Sequence, residues 1–303
     1  MDDEKNVRFH RAQHEIFHQC RMKSYPMGGY EIMACSRPVF RERGYEDAER
    51  KRDAVRDSQQ PADPLAAPQA ATDGAALRAA TDTERARRRA AAAVRDLVLS
   101  NPFSYFVTLT LDRTKIDRYD IQVITKKLNT WLDNCVRRHG LVYVLVPELH
   151  KDGAVHFHGF FNDALSVTDS GHADGHGHKV FNLPRWTFGF STAIKLYGDY
   201  AAATAYVCKY VRKQEQKIGG RWFYSGGKLA KPTLTYPAFD LEDVRGLPRS
   251  YGFEVEEAGL QFAIYRENGN CPKNGTEGGA NDGNSDDCSS SAAAEEEEEE
   301  VKT

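Results

Sequence analysis

The stretch Pro147-Glu148-Leu149-His150-Lys151-Asp152-Gly153-Ala154-Val155-His156-Phe157-His158-Gly159-Phe160-Phe161 limits the possible folds more than any other. Leu141 to Val146, just ahead of it, is almost wholly apolar, with Val142, Val144 and Val146 branched at Cβ, and reads as a strand of a buried sheet. Ala154 to Phe161 reads as a second strand. Lys151-Asp152-Gly153 forms the turn between them, with Gly taking the positive φ that tight hairpins require. A hairpin symmetric about Asp152 sets Glu148 opposite His156 and Val146 opposite His158. Side chains on a strand return to one face every second residue, so a carboxylate and two imidazoles share a face while Phe157 takes the other.

Two imidazoles and a carboxylate make a three-ligand site for a divalent ion, with positions left open for water or substrate, as in a catalytic rather than a structural metal centre. Mixed nitrogen and oxygen ligation suits Mn²⁺ and Zn²⁺, and Mg²⁺ where substrate phosphate adds oxygens. The competing reading is a histidine pair on a solvated strand or in a satisfied core.

A second constellation is Ala205-Tyr206-Val207-Cys208-Lys209-Tyr210-Val211-Arg212-Lys213. Residues from Asp199 to Lys217 are Ala-rich, lack Gly and Pro inside the segment and carry Lys and Arg toward its end, which predicts a helix. At roughly 100° per residue, Tyr206, Lys209, Tyr210 and Lys213 fall on one stripe, and Val207, Cys208 and Val211 on the opposite flank, toward a sheet. Tyrosines four residues apart are ordinarily packing residues that keep a hydroxyl wet. Beside a metal site they are candidate nucleophiles.

Phe106-Val107-Thr108-Leu109-Thr110-Leu111, His156-Phe157-His158 and the Tyr206 to Lys213 block together resemble, in order, the three motifs of rolling-circle replication initiators, the HUH endonucleases. Two tyrosines separated by three residues, with Lys209 directly before the second, are similar to the two-tyrosine branch found in small single-stranded-DNA phages and related plasmids. The resemblance covers roughly Asn101 to Pro237. It implies an HUH/RRM-like antiparallel sheet with helices packed on it, and nicking of single-stranded DNA at a replication origin by transesterification. It further implies Mg or Mn held by Glu148, His156 and His158, attack by Tyr206 or Tyr210 with help from Lys209, a 5′-phosphotyrosyl link and a free 3′-hydroxyl. DNA contacts are expected at Lys213, Arg185, Trp186 and Arg221. Relaxases and transposases of the same superfamily share this chemistry, and a non-catalytic single-stranded nucleic-acid-binding protein is the alternative without it. A cupin-type metal protein would place Glu a few residues after the histidines, where this chain has Gly159-Phe160-Phe161-Asn162-Asp163.

Charge is unevenly distributed. Residues 101–236 carry 18 Lys and Arg against 11 Asp and Glu, whereas residues 237–303 carry 5 against 17. The motif-bearing segment is therefore the basic one, as a phosphate-backbone ligand requires. Residues 1–57 read as a polar, helical region, with His10, His14 and His18 in a row on one helix face, near Cys20 and Cys35, and Pro38-Val39-Phe40 as the only strand-like piece. Residues 58–76, with Pro61, Pro64 and Pro68, read as a linker. The endonuclease domain is expected over 77–240. It opens with a helix from Ala75 to Leu99 that Arg85, Arg87, Arg88 and Arg89 make basic, a solvated face that could also meet phosphates.

Strand Ser104 to Leu111 follows, then an amphipathic helix marked by Ile121, Ile124, Leu128, Trp131, Leu132 and Cys135 and ending at Gly140. Strand, helix, hairpin, strand, helix is an α+β order. Ser166 to Lys179, with His172, His176 and His178, reads as a mobile insertion and a rival metal site. Leu183 to Phe190 resembles the family's strand before the tyrosine helix, with Trp186 or Phe188 either packed in the core or available to stack a base. Gly219 to Lys228 is basic and aromatic but not a P-loop, since Trp222 and Leu229 stand where Gly and Ser or Thr are needed. Duplex unwinding and synthesis are then expected of a host helicase and polymerase. The C-terminal region, 241–303, ends in an acidic tail expected to be disordered beyond Phe262, with Glu295 to Glu300 as its most acidic run. No apolar run is long enough to span a membrane, the start lacks a signal-peptide shape, and six scattered cysteines fit reduced thiols in a cytoplasm.

Overall fold

The computed structural model describes residues 17–41, 73–196, 200–247, 251–255 and 259–268. In chain order the elements are β1 (Phe17–His18), β2 (Cys20–Ser24), β3 (Gly29–Cys35), β4 (Phe40–Arg41), α1 (Asp73–Leu99), β5 (Tyr105–Leu111), α2 (Ile121–His139), β6 (Tyr143–Leu149) and β7 (Val155–Phe161). Then come β8 (Thr168–Ala173), β9 (Lys179–Asn182), β10 (Gly189–Lys195), α3 (Tyr200–Lys213), β11 (Tyr224–Gly226), β12 (Thr233–Thr235), α4 (Leu241–Arg245), β13 (Tyr251–Val255) and β14 (Leu260–Asn268). The fold is α+β. Seven strands form an antiparallel sheet in the order β11-β6-β7-β5-β10-β9-β8, five form a second in the order β12-β2-β3-β14-β13, and β1 pairs with β4.

Alternation along β5 sorts the large sheet into two faces. Tyr105, Val107, Leu109 and Leu111 are buried, while Phe106, Thr108 and Thr110 between them point the other way and are half-buried. The first face packs under α2, whose Ile124, Leu128, Trp131, Leu132 and Cys135 meet Val107, Leu109, Phe157 and Phe161. Asp120 starts that helix by accepting from the Gln122 and Val123 amides, and Gly140 ends it at a φ of 73°. On the second face, Ala90, Ala91, Val94 and Val98 of α1 and Val207, Cys208 and Val211 of α3 cover Val144, Val146 and Phe160. Each buried Val, Leu, Ile or Phe among them contributes about 1.5–3 kcal/mol. The backbones of β6 and β7 approach closely at Gly159, where an added Cβ would lie 1.9 Å from the Val144 carbonyl oxygen.

Helix α1 also faces the second sheet, and that contact is ionic. Glu31 of β3, only 4 % exposed, pairs with Arg95 of α1 and accepts from Arg266 of β14 at 2.6 Å, with Lys23 of β2 at 3.6 Å. Lys23 also reaches Asp96 at 2.7 Å, and Tyr25 donates to the same carboxylate at 3.0 Å. Burial pushes the Glu31 carboxyl up, but the charges of Arg95, Lys23 and Arg266 together hold it below its ordinary value. On the far face of this sheet, Cys20, Ile32, Ala34, Ala263 and Tyr265 pack with Leu241 and Val244 of α4.

Four expectations are corrected here. The region read as polar and helical is, where described, strand: His18 lies in β1 and Cys20 and Cys35 are buried in the second sheet, while His10 and His14 lie outside the described residues. The segment beyond Phe262 continues as β14 through Asn268 and pairs with β3, and the Glu295 to Glu300 run lies outside the described residues. The His-rich insertion is the hairpin β8–β9. Asp174 closes its turn by accepting from the amides of His176 and His178 at 2.9 and 2.8 Å, and Gly177 takes a φ of 81°. Of the expected linker, residues 73–76 belong to α1 and the rest lies outside the described residues.

Because the folded-state pKa of Glu31 is depressed, its pairs stabilise the protein at pH above the ordinary glutamate range, and that contribution fades as pH falls through the lower folded value. Glu31→Gln is expected to cost about 3–5 kcal/mol at neutral pH by leaving buried cations uncompensated. Urea-unfolding midpoints measured from neutral to acidic pH should show the gap between wild type and variant closing on the acid side.

Candidate active site

The hairpin register fixes the site. Glu148 of β6 pairs with His156 of β7, and Val146 with His158. On the far side of β7, Thr110 and Thr108 of β5 pair with His156 and His158, and on β10 Phe190 and Thr192 pair with Thr110 and Thr108. Two rows thus cross four strands on one face: Phe190, Thr110, His156, Glu148, and beside it Thr192, Thr108, His158, Val146. At the hairpin tip Gly153 takes a φ of 85°, and Asp152 accepts from the Ala154 amide at 2.9 Å.

Nδ1 of His158 lies 3.1 Å from the Thr108 hydroxyl, and Nδ1 of His156 lies 3.5 Å from that of Thr110. Nε2 of His158 is 2.9 Å from a carboxylate oxygen of Glu148. With the proton on Nε2, His158 donates to Glu148 and Thr108 donates to Nδ1. The other tautomer reverses the threonine bond and leaves Nε2 as a lone pair. The ring of His156 stacks on that of His150, centroids 5.1 Å apart. Burial first, and then the charges of His150 and His158, hold the His156 imidazole below its ordinary pKa against Glu148 and Asp152. Among the described residues, no three His, Cys, Asp or Glu side chains already stand as a ligand set, and Glu148 bonds directly to His158.

Helix α3 crosses this face with its tyrosines inward. The Tyr210 ring lies on that of His158, centroids 4.6 Å apart and planes within 7°. Tyr206, 49 % exposed, packs edge-on against Phe106 of β5 at 5.9 Å, and the two phenol hydroxyls are hydrogen-bonded to each other. Both helix ends are anchored. Tyr200 donates to the Asn101 carbonyl and accepts from the Phe103 amide, each at 2.8 Å. Just past the last turn, buried Gln214 donates to the Pro147 carbonyl at 2.6 Å and to that of Trp222 at 3.3 Å. Between α3 and the end of β6 lies a pocket of about 310 Å³ lined by Glu148, Leu149, Tyr210, Lys213, Gln214 and Ile218. Val207, Cys208 and Val211 are buried as their spacing predicts, and Lys209 and Lys213 are exposed.

The expected DNA contacts do not gather here. Only Lys213 lines the pocket. Trp186 is 4 % exposed, packs edge-on against Trp131 and donates to the Thr110 carbonyl at 3.1 Å, so it belongs to the core beneath α2. Arg185, exposed, accepts through its carbonyl from Trp131 on that same side. The Arg221 guanidinium lies over the Tyr224 ring, in the core beneath α2. The expected strand over Leu183 to Phe190 begins instead at Gly189. On α1, Arg87 and Arg88 both pair with Glu84, and Arg87 also reaches the Gln214 carbonyl at 3.0 Å. Sequence reasoning missed the roles of Thr108, Thr110, Phe190 and Gln214. For the first three the signal was the period-2 alternation of β5 and β10 once their register with β7 is known; for Gln214 there was none.

Residues 104–215 match the family model of the replication-associated protein ORF2. The span covers more than a third of the chain, runs from just before β5 to just after α3, and contains every side chain of the two rows and both tyrosines. The match supports a replication initiator with DNA as its partner. No curated protein and no solved structure matches the chain. Among the described residues, no helix is long and apolar enough to cross a membrane.

Gln214→Leu keeps the size of the side chain but leaves the Pro147 and Trp222 carbonyls unbonded. We expect a loss of about 1–3 kcal/mol, read by urea denaturation, with the α3 amides exchanging hydrogen faster than those of α2.

Proposed function

We propose that the chain is a replication initiator that nicks and religates single-stranded DNA at an origin by metal-assisted tyrosine transesterification. The observation that carries this reading is the stack of Tyr210 on His158, with His158 bonded to Glu148 and the Tyr206 hydroxyl bonded to that of Tyr210. Two phenols therefore stand over the polar rows, within the segment that matches a replication-associated family.

Glu148, His156 and His158 fit a divalent ion by their chemistry. Both imidazoles have a hydroxyl at Nδ1 that orients the ring and leaves Nε2 for a ligand bond. The Glu148 and His158 donor atoms are 2.9 Å apart, close enough for both to hold one divalent ion. Mg²⁺ or Mn²⁺ bound there would polarise a phosphate oxygen and disperse the charge that builds on it.

The protein's own groups supply the rest. A phenol ionises near pH 10, so the attacking tyrosine needs its proton drawn off. Its partner phenol is in contact to accept or relay that proton, and Lys209, one residue before Tyr210, offers a positive charge to the developing phenolate. The phenol oxygen forms a bond to phosphorus as the bond from phosphorus to the 3′-oxygen breaks, leaving a 5′-phosphotyrosyl ester and a 3′-oxygen that takes up a proton to become the hydroxyl. Attack of a 3′-hydroxyl on the ester reverses the step and joins the strand. Tyrosines four apart are one turn apart along the helix, so one can hold a 5′ end while the other attacks. Lys213, which lines the pocket, would hold a phosphate. Arg185 and Arg221 would meet DNA that continues around the sheet edge. A host helicase and polymerase would supply unwinding and synthesis. A relaxase or transposase of the same superfamily would use the same site on a different DNA.

Incubation with Mn²⁺ and labelled single strands from a broad panel of origin sequences should trap a covalent adduct on Tyr206 or Tyr210, and His156→Ala or His158→Ala should abolish it. Absence of any adduct across the panel would favour a non-catalytic binding protein. Tyr206→Phe and Tyr210→Phe are each expected to keep single nicking and lose repeated rounds, with the double variant inactive. One variant dead beside a partner with wild-type multi-round turnover would instead assign one nucleophile and one packing phenol. Lys209→Ala should slow cleavage about a hundredfold with little change in DNA affinity.

A further inference from the structure

Phe190 is 69 % exposed, the most exposed of the large apolar side chains among the described residues. Its backbone is in a regular strand, paired with Thr110 of β5, so the exposure does not come from a loose loop. Thr110 is in turn paired with His156, and His156 with Glu148. Phe190 is therefore the far member of the row that carries two of the three expected metal ligands. Two inter-strand steps of roughly 4.8 Å place its Cα about 10 Å from that of His156.

Helix cover stops short of it. The buried residues of α1 and α3 pack on Val144, Val146 and Phe160 of β6 and β7, and Tyr206 reaches only as far as Phe106 on β5. Thr192, next to Phe190 on this face, is also exposed. The other aromatics of the segment are used: Trp186 and Phe188 pack edge-on against each other at 5.2 Å in the core beneath α2.

We infer that Phe190 is a stacking platform for an unpaired nucleobase beside the scissile phosphate, and so a positioning residue for the single strand. This rests on the reading of the site as a single-stranded-DNA nuclease. A phenyl ring offers a flat apolar face and no hydrogen-bonding group, so it suits the face of any base and reads no sequence. The phosphates of a strand lying from Phe190 toward Tyr210 would run beside α3, where Lys209 and Lys213 are exposed, which gives the charge complement that such a ligand requires. Bases held by Phe190 would fix which phosphate reaches the tyrosines, while leaving the chemistry to the groups around His158.

The test uses the full chain with Tyr206 and Tyr210 both changed to Phe, so that cleavage cannot disturb binding. Affinity is measured for a fluorescein-labelled oligothymidylate and for an abasic oligomer of the same length. Phe190→Ala should weaken oligothymidylate binding about fivefold to a hundredfold and leave abasic binding unchanged. Phe190→Trp should restore the preference for bases, and Phe190→Leu should not. Equal loss on both oligomers, or no loss on either, would overturn the proposal, as would a change in sedimentation with unchanged DNA affinity, which would mark Phe190 as a contact between copies of the chain. Adduct formation by the chain with both tyrosines intact is scored separately. A Phe190-dependent preference for bases in a protein that never forms an adduct would sink the nuclease reading and leave the stacking role standing.

Discussion

Everything at the site depends on the antiparallel hydrogen-bond ladder that locks β6, β7, β5 and β10 into one register. A slip of one residue between β6 and β7 would turn Glu148 away from the histidines and drive Leu149 into their place. The ladder is held by the opposite face. Leu109, Phe157 and Phe161 are buried under α2, and they can stay there only while Thr108, Thr110, His156 and His158 point the other way. Apolar burial on one side thus sets polar chemistry on the other, without any of the polar groups having to stabilise the fold.

The tyrosines depend on a second constraint, the placement of α3. Its inner flank is apolar and sits beside α1, with the Cys208 thiol donating to the Ala91 carbonyl at 3.3 Å. That packing alone would leave the helix free to slide along its axis. Tyr200 before the tyrosine pair and Gln214 after it bond to backbone groups just ahead of β5 and near the end of β6, so the axial position is set from the same sheet that carries the histidines. Helix α1 adds a further layer, since its outer flank is paired with Glu31 and Lys23 of the second sheet. Among the described residues, α1 thus links the N-terminal strands to the layer that covers the histidines.

Much of the site was legible in the sequence because its determinants are local. The Glu148 and His156 pairing follows from a hairpin with a Gly at its turn, and the α3 stripe from helical spacing, and both are as expected in the structure. The second sheet was not legible. Its central pairing joins β3 to β14 across more than two hundred residues, and its inner face carries Lys23 and Glu31, whose charges hide the alternation of Tyr30, Ile32 and Ala34. Those charges looked like a solvated region because their partners, Arg95 and Arg266, lie on distant segments. Trp186 was misplaced for a related reason: sequence shows that an aromatic is present but not which side of the sheet receives it.

The same limit explains why the site ends where it does. Helices α1 and α3 cover β6 and β7 and reach β5, whereas Phe190 of β10 stands 69 % exposed. A fully covered sheet would have excluded water and a polymer alike from the histidine rows, whereas a bare one would have left the tyrosines without a helix to stand on. Partial cover resolves this conflict: Tyr210 is held over His158 from one side, and the strands beyond Thr110 stay open for the extended chain we propose as substrate. Phe190 and Thr192 lie on that path because β10 repeats the alternation of β5, placing Ser191 and Ala193 in the core and their neighbours in solvent. The groups to which we assign the chemistry and the surface we propose for the substrate are thus two consequences of one sheet register.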